Sequence, residues 1–191
     1  FFSRRIADPH AGVRLTGKAG GWSVGGLAID DRAPGEVLED LDPLHPDAGS
    51  RAGIGVLRVQ RDLPRQSTIG VLATTREFGD GSSRIFGVDS RVTLSDTWVA
   101  SGQAAFSDVR DADGDRSGHA LSHNFDRTGR NWGEFLTYQD MSPDFRAPLG
   151  FVPRVDTRRL FPFARYTWFP ETGPLVSIRQ EAPGWWRGEY G

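Results

Sequence analysis

The sequence predicts an all-β protein built as an antiparallel meander. Three observations lead to this prediction. Apolar and polar residues alternate over Ser83 to Ser107, as in strands with one apolar face. Helix signals are weak, because 24 glycines and 12 prolines interrupt most candidate segments. Long and short connections nearly alternate along the chain, so the long ones should share one rim of the sheet.

About nine strands are expected, near residues 14 to 29, 51 to 61, 67 to 77, 83 to 94, 97 to 107, 117 to 127, 131 to 140, 156 to 169 and 174 to 181. A length of about ten residues suits a tilted strand that crosses a membrane. In the first strand Trp22 and Val24 share a parity with Lys18, and no face can be assigned to it. Pro162 lacks the ladder N–H, so it predicts a bulge or an edge in the eighth strand.

The segment from Ser83 to Ser107 is interpreted as a hairpin with a tight turn at Ser95-Asp96-Thr97. Its apolar face provides the candidate lipid-facing residues Phe86, Val88, Val92, Leu94, Trp98 and Phe106. Its polar face provides the candidate lumen-lining residues Asp89, Arg91, Gln103 and Ser107. At ~3.3 Å per residue, Trp98 and Phe106 stand roughly 26 Å apart. Because aromatic girdles of outer-membrane barrels flank a band ~25 Å tall, the hairpin predicts part of such a barrel.

Connection lengths support the same architecture. Long connections are predicted at Asp30 to Ser50, Asp108 to Arg116 and Met141 to Val155. Short ones are predicted at Asp62 to Gln66, Ser95 to Thr97, Gly129-Arg130 and Pro170 to Gly173, with Phe78 to Ser82 intermediate. Outer-membrane barrels have short periplasmic turns and longer outer loops, so Asp96 is assigned to the periplasmic rim. A soluble β-sandwich is the structural alternative.

Composition narrows the partners and the class of protein. The net charge is −2 and Lys18 is the single lysine, so no polybasic face points to nucleic acid. The absence of cysteine excludes a disulfide framework and a thiolate metal site. No run of about 18 apolar residues predicts a membrane-spanning helix. Since Phe1 stands in place of Met, residues 1–191 are expected to be one partial barrel domain, truncated at both ends and without a second domain.

Residues capable of catalysis or metal binding form no persuasive constellation. His119 and His123 would lie ~13 Å apart on one strand, too far to share an ion. The aspartates of 111–115 resemble the start of a calcium loop, but Ser122 stands where the closing glutamate belongs. Glu77, Glu134 and Glu171 could supply a glycosidase pair, yet nothing in the sequence brings two of them together. No catalytic residue, metal or cofactor is therefore predicted, and an enzyme is not favoured.

Three blocks of sequence resemble an uncharacterised bacterial domain family. They are Phe1 to Ile6 and Leu15 to Lys18 leading into Gly21 to Gly25, then Val59 to Asp62 with Ser67 to Gly70, then Asp144-Phe145 with Gly150 to Arg154. Domains of that family usually follow a carbohydrate-binding module of the family 9 type. The resemblance implies a porin-like outer-membrane barrel in a longer chain, with no catalytic residues to carry over. This chain departs from the family by lacking the module and by having Arg146-Ala147 in place of asparagine-proline.

The first functional hypothesis is a barrel segment in the bacterial outer membrane that passes or receives a small solute, such as a saccharide or an oligopeptide. Its expected partners are membrane lipid and that solute, and no oligomeric state is predicted. Met141 to Val155 is the candidate constriction loop, with Phe145, Phe151 and Arg154. The alternatives are a non-transporting surface binding or adhesion barrel, and a domain associated with a carbohydrate-active hydrolase.

Overall fold

The computed structural model describes residues 6–150 and 152–190 and is almost entirely β-sheet. The strands are β1 (Pro9–Ala19), β2 (Trp22–Asp31), β3 (Ala52–Leu63), β4 (Ser67–Phe78), β5 (Gly81–Thr93), β6 (Trp98–Asp111), β7 (Gly114–Thr128), β8 (Trp132–Met141), β9 (Thr157–Trp168), β10 (Ile178–Pro183) and β11 (Trp186–Gly188). One short helix, α1 (Ala33–Leu41), follows β2. Within the described residues, no helix has the length and apolar character that crossing a membrane requires.

The strands form one antiparallel sheet in sequence order from β1 to β10, with β11 also paired to β9. The predicted all-β antiparallel meander is therefore confirmed. The sheet is open, since β1 lies at one edge and the β10–β11 segment at the other. This arrangement is consistent with an incomplete barrel.

The β10–β11 segment is one strand with a gap. Both parts pair with β9 in the same register. The ladder is interrupted beside Pro162, which has no N–H to donate, although its carbonyl accepts a hydrogen bond from the N–H of Gly184 at 2.8 Å. The register between β8 and β9 passes through Pro162 without a shift. The structure thus has a gap in one ladder where the sequence predicted a bulge or an edge.

The segment predicted as a single strand over 14 to 29 is instead two strands. β1 and β2 pair through a turn at Gly20 and Gly21, whose φ angles are +55° and +77°. Glycine adopts positive φ without strain, and two such residues reverse a hairpin tightly. After the reversal Lys18 lies opposite Ser23, so its face is not that of Trp22. The turn between the two strands explains why no face could be assigned to residues 14 to 29 as a single strand.

The expected long acidic connection from Asp108 to Arg116 is also wrong. β6 and β7 continue through it and reverse at residues 112–113. Arg110 binds Asp115 through nitrogen–oxygen distances of 2.9 and 3.1 Å. Arg116 binds Asp111 at 2.7 and 2.8 Å. These ion pairs join two paired strands. The charged stretch that was predicted to be a loop is therefore a two-stranded extension of the sheet.

The remaining two long connections share one rim, which we call the loop rim. They are residues 32–51, which contain α1, and residues 142–156. The other rim, the turn rim, carries the connections after β1, β3, β5, β7 and β9, the first four of which have two to four residues. Residues 142–150, called the inward segment, fold back against one face of the sheet, where Phe145 meets Gly118. That face is called the inner face and the opposite one the outer face.

The buried apolar core is small and lies where the long connections cover the inner face near the loop rim. Its described members are Ala52, Ile54, Val56, Val109, Phe145 and Leu149. The rest of the inner face is mostly polar, with phenylalanines on β8 and β9, and the described residues form no second layer over the outer face. The protein therefore buries few of its many apolar strand residues within itself.

Candidate functional site

The strand register sorts the predicted residues onto opposite faces. The four candidate lumen-lining residues share the inner face: Asp89 pairs with Gln103, Arg91 with Ser101, and Ser107 with Ile85. The six candidate lipid-facing residues follow the opposite parity, and Phe86 and Phe106 are direct partners. Phe86 is 56% exposed and Phe106 is 58% exposed.

A neutral patch occupies the centre of the inner face. It consists of two adjacent rows across β6, β7 and β8, namely Ser101, Asn124 and Thr137 with Gln103, Ser122 and Gln139. All six side chains can form hydrogen bonds, and none carries a charge. The hydroxyl of Thr137 donates to Oδ1 of Asn124 at 2.7 Å. The side chains of Gln103, Ser122 and Gln139 make no hydrogen bond within the described residues, so they are available to a ligand.

Charged residues border the neutral patch on the β5 side. Arg58 reaches across Gly70 to Asp89, with Nη2 and Oδ1 2.8 Å apart and a second bond from Nη1 to Oδ2. A Cβ at position 70 would lie 2.6 Å from Nη2 of Arg58, so glycine leaves the path for this side chain. Both charged side chains are about one-third exposed, at 33% and 34%. The bidentate pair cancels the charges of these two groups and holds both in place. Arg91, the direct partner of Ser101 on the same border, has no ionic partner within the described residues.

Aromatic and basic residues border the patch on the β9 side. Phe161 is the direct partner of Thr137, and Arg159 is the direct partner of Gln139. Phe161 and Phe135 make an edge-to-face contact with ring centroids 6.2 Å apart. Phe161 is 39% exposed, so part of its ring is open to a bound molecule. Arg159 has no ionic partner within the described residues.

The inward segment covers the inner face between the patch and the loop rim. The hydroxyl of Ser107, which is fully buried, accepts a hydrogen bond from the backbone N–H of Arg146 at 3.1 Å. Gly118 allows the backbone of Phe145 to approach, since a Cβ there would lie 2.3 Å from the Phe145 nitrogen. Phe145 is only 5% exposed. Its side chain therefore anchors the inward segment to the sheet.

A cavity of about 410 Å³ lies between residues 142–156 and the inner face of the sheet. Gln103, Ser122 and Gln139 line it from the sheet, and Leu149 and Arg154 line it from the connection between β8 and β9. Binding sites for small molecules have volumes of roughly 300–1,000 Å³. The cavity and the neutral patch are therefore continuous parts of one candidate site.

The other two candidate constriction residues have different positions. Arg154 is half-exposed, with Nη2 2.6 Å from Oε1 of Glu189, and lines the cavity. Phe151 lies outside the described residues. Ser107, predicted to line the lumen, lies on the inner face but is covered by the inward segment. Gln103 is thus the predicted lumen residue with the most direct access to the cavity.

The outer face has an apolar band with tryptophan at one end. Trp22, Trp98 and Trp132 are the first residues of their strands and Trp168 is the last residue of β9, so all four lie at the turn rim. The guanidinium of Arg61 lies 5.0 Å from the ring centre of Trp22, and that of Arg127 lies 5.8 Å from the ring centre of Trp98. Towards the loop rim the band ends, because charged outer residues follow Phe86 and Phe106.

A polar cluster on the outer face was missed by sequence reasoning. Asp140, only 6% exposed, accepts a hydrogen bond from Tyr138 at 3.0 Å and a second from Tyr190. Nε of Arg158 lies 3.3 Å from Asp140, and its guanidinium lies 4.0 Å from the ring centre of Tyr190. Tyr138 and Asp140 are two residues apart in β8, so strand alternation puts them on the same face. The position of Tyr190 depends instead on the pairing of β11 with β9. This cluster fastens Tyr190, which follows β11, to the sheet.

The candidate site is thus a polar inner wall partly covered by a folded-in connection, and the opposite face is an apolar band. Comparisons of the chain with protein-family models, with curated proteins and with solved structures find no match.

Proposed function

We propose that this chain is a segment of a porin-like β-barrel in the bacterial outer membrane that passes or receives a small solute. The observation that carries the proposal is the contrast between the two faces of one sheet. Monomeric soluble proteins rarely expose contiguous apolar patches larger than a few hundred Å². Here exposed apolar residues extend across the outer face from Val24 on β2 to Tyr166 on β9. Lipid is the partner that such a band requires.

The positions of the tryptophans support a membrane boundary at the turn rim. Aromatic residues concentrate at the interfaces of outer-membrane barrels, where the ring contacts both lipid and polar headgroups. Arg61 and Arg127 beside Trp22 and Trp98 place cations at the same height, next to the expected lipid phosphates. Four of the five strand connections on this rim have two to four residues, which agrees with the short periplasmic turns of such barrels.

Membrane fractionation of the full-length protein tests the location. We expect recovery with outer membranes, release by detergent, and a shift in gel migration after heating, because folded barrels resist unfolding in cold detergent. Recovery in the soluble fraction without detergent would contradict the proposal.

Solute flux tests transport. In proteoliposomes that contain the full-length protein, we expect small solutes to equilibrate faster than in empty vesicles. Replacing residues 142–156 with a short turn should increase single-channel conductance, because the inward segment covers part of the inner face. Unchanged conductance in a working pore would contradict a constricting role for this connection.

A non-transporting binding barrel is the second candidate. The observation that favours it is the filling of the inner face near the loop rim by α1 and the inward segment, which approach one another around a shared cavity of about 970 Å³. Binding of a solute without flux would support this candidate over the first.

A further inference from the structure

We propose that the neutral patch on the inner face binds a neutral, polyhydroxylated solute such as a disaccharide. This inference rests on the proposed function, in which the inner face lines the lumen, and it names the class of solute. The six side chains of the patch supply three hydroxyl groups and three carboxamides without a net charge. A carboxamide both donates and accepts, so it matches a sugar hydroxyl in either orientation.

The spacing of the patch suits a ligand of one or two sugar rings. Neighbouring strands lie ~4.8 Å apart, and successive residues on one face lie ~7 Å apart along a strand. The neutral patch therefore spans about 10 Å across the strands, from Gln103 to Gln139. Both of these residues are exposed, and neither amide is used within the described chain.

An aromatic ledge adjoins the patch on one side. The exposed part of the Phe161 ring is next to Thr137, and Phe135 supports it through their edge-to-face contact. Sugar rings have an apolar face of C–H groups, which loses unfavourable contact with water when it packs on an aromatic ring. Amides at one side and a ring at the other would hold a saccharide through its hydroxyl groups and its C–H face together.

The charges around the patch do not suit a short zwitterionic peptide. Asp89 is already bound to Arg58. The free charges closest to the patch are Arg91 on β5, Arg159 on β9 and Asp126 on β7. Asp126 lies two strands and two residues from Arg91, and two strands and four residues from Arg159. These separations are about 12 Å and about 16 Å, whereas a dipeptide spans at most ~7 Å between its ends. A neutral ligand has no charged ends, so it needs no ionic partner at the patch.

The test measures block of ion current by solutes across planar bilayers that contain the full-length protein. The probes are sucrose, a zwitterionic tripeptide of similar mass and a sugar acid. We expect sucrose to block at a lower concentration than the other two. The double variant Gln103→Leu with Gln139→Leu removes two amides at similar side-chain length, so the half-blocking concentration of sucrose should rise by about tenfold.

The matched control is Gln60→Leu. Gln60 lies on β3 in the same row as Gln103, and its amide oxygen already accepts from Arg58 at 3.3 Å. This substitution should change the half-blocking concentration by less than about twofold. If the double variant fails to fold, Ser122→Ala serves as a milder second variant. It should raise the half-blocking concentration of sucrose about two- to fivefold.

Each outcome bears on one proposal or the other. Stronger block by the tripeptide or the sugar acid, or equal loss in the Gln60→Leu control, would overturn the saccharide assignment and leave the barrel intact. A current without block by any solute would do the same. If no current is found, calorimetric titration of the detergent-solubilised full-length protein with sucrose decides, because absence of heat would overturn the saccharide assignment too.

Discussion

The inner and outer faces of this sheet are made by alternate residues of the same strands, yet their chemistry is opposite. In β6, Ala104 and Phe106 face outward among exposed apolar residues, whereas Gln103 and Ser101 face inward among polar ones. A sheet that packed against a protein core would bury its apolar face. Here the apolar face is the uncovered one, and the polar face receives the two long connections. This contrast is the observation that supports the proposal that the outer face contacts lipid.

The largest expected effect comes from a charge placed on the outer face. Ala104→Arg puts a guanidinium between Val88 and Leu121, in the middle of the apolar band. At the midplane of a membrane such a charge costs roughly 2–4 kcal/mol. We expect a marked loss of heat-modifiable protein in the membrane fraction.

Ser101→Arg is the control, because it adds the same side chain to the same strand on the inner face. It should insert normally. Equal tolerance of the two substitutions would show that the outer face does not contact lipid, and it would contradict the proposed membrane location.

A smaller effect on the protein is expected when the contact between the inner face of the sheet and the inward segment is lost. Gly118→Ala places a Cβ within about 2.3–2.6 Å of the backbone of Asp144 and Phe145, where neither group is a flexible side-chain end. Overpacking of this kind costs roughly 1–3 kcal/mol. We expect the inward segment to detach and protease cleavage within residues 142–150 to accelerate.

Gly25→Ala is the matched control, since Gly25 also lies on the inner face and a Cβ there has no neighbour within 4 Å. Accelerated cleavage in both variants would indicate general loosening of the sheet rather than release of this segment.

The Arg58–Asp89 pair provides a more modest test of the inner face. Asp89→Asn leaves Arg58 without its anion, and Arg58→Gln leaves Asp89 without its cation. Because both groups are about one-third exposed, each change should lower the free energy of unfolding by only about 0.5–1 kcal/mol. If this face lines a pore, the first variant should shift ion selectivity towards anions and the second towards cations. Reversal potentials in a salt gradient measure the shift, and a shift of the same sign in both variants would contradict it.

The smallest effect concerns the β6–β7 extension, which lies beyond the apolar band. Hydrogen bonding from Arg116 lowers the pKa of Asp111 below its usual value. A carboxyl with a lowered pKa stabilises the folded form above its unfolded pKa, and this contribution disappears as the pH falls through the folded pKa. Amide hydrogen exchange at residues 110–116, corrected for intrinsic rates, should therefore rise on acidification below about pH 4. Asp111→Asn should remove most of this pH dependence.

Local alternation was sufficient to predict much of this fold. The two strands from Ser83 to Ser107 have the predicted parity, and their turn falls within residues 94–97. The Gly20-Gly21 turn was missed because it lies in a glycine-rich run without a change in polarity. The β6–β7 extension was missed because its charged residues form ion pairs between the two strands. The sequence of a charged segment does not show which of its residues will be strand partners.

The candidate site was less predictable than the sheet. Parity identified Gln103 as inward-facing, but the neutral patch requires the registers of β6, β7 and β8 together. Gly118 has no local feature that indicates a role, and its importance follows from the approach of Phe145 from a distant connection. The Asp140 cluster likewise depends on Tyr190, fifty residues further along the chain.

The meander order also has a consequence for how this sheet assembles. From β1 to β9 every strand pairs with its neighbour in sequence, and six of the eight connections between them have no more than four residues. Short connections carry a low entropic cost of closure, so each hairpin can form before the next strand arrives. The two long connections separate the three-hairpin block β3–β8 from the strands on either side. That block can therefore act as a template onto which the flanking strands are added, whichever edge they join first.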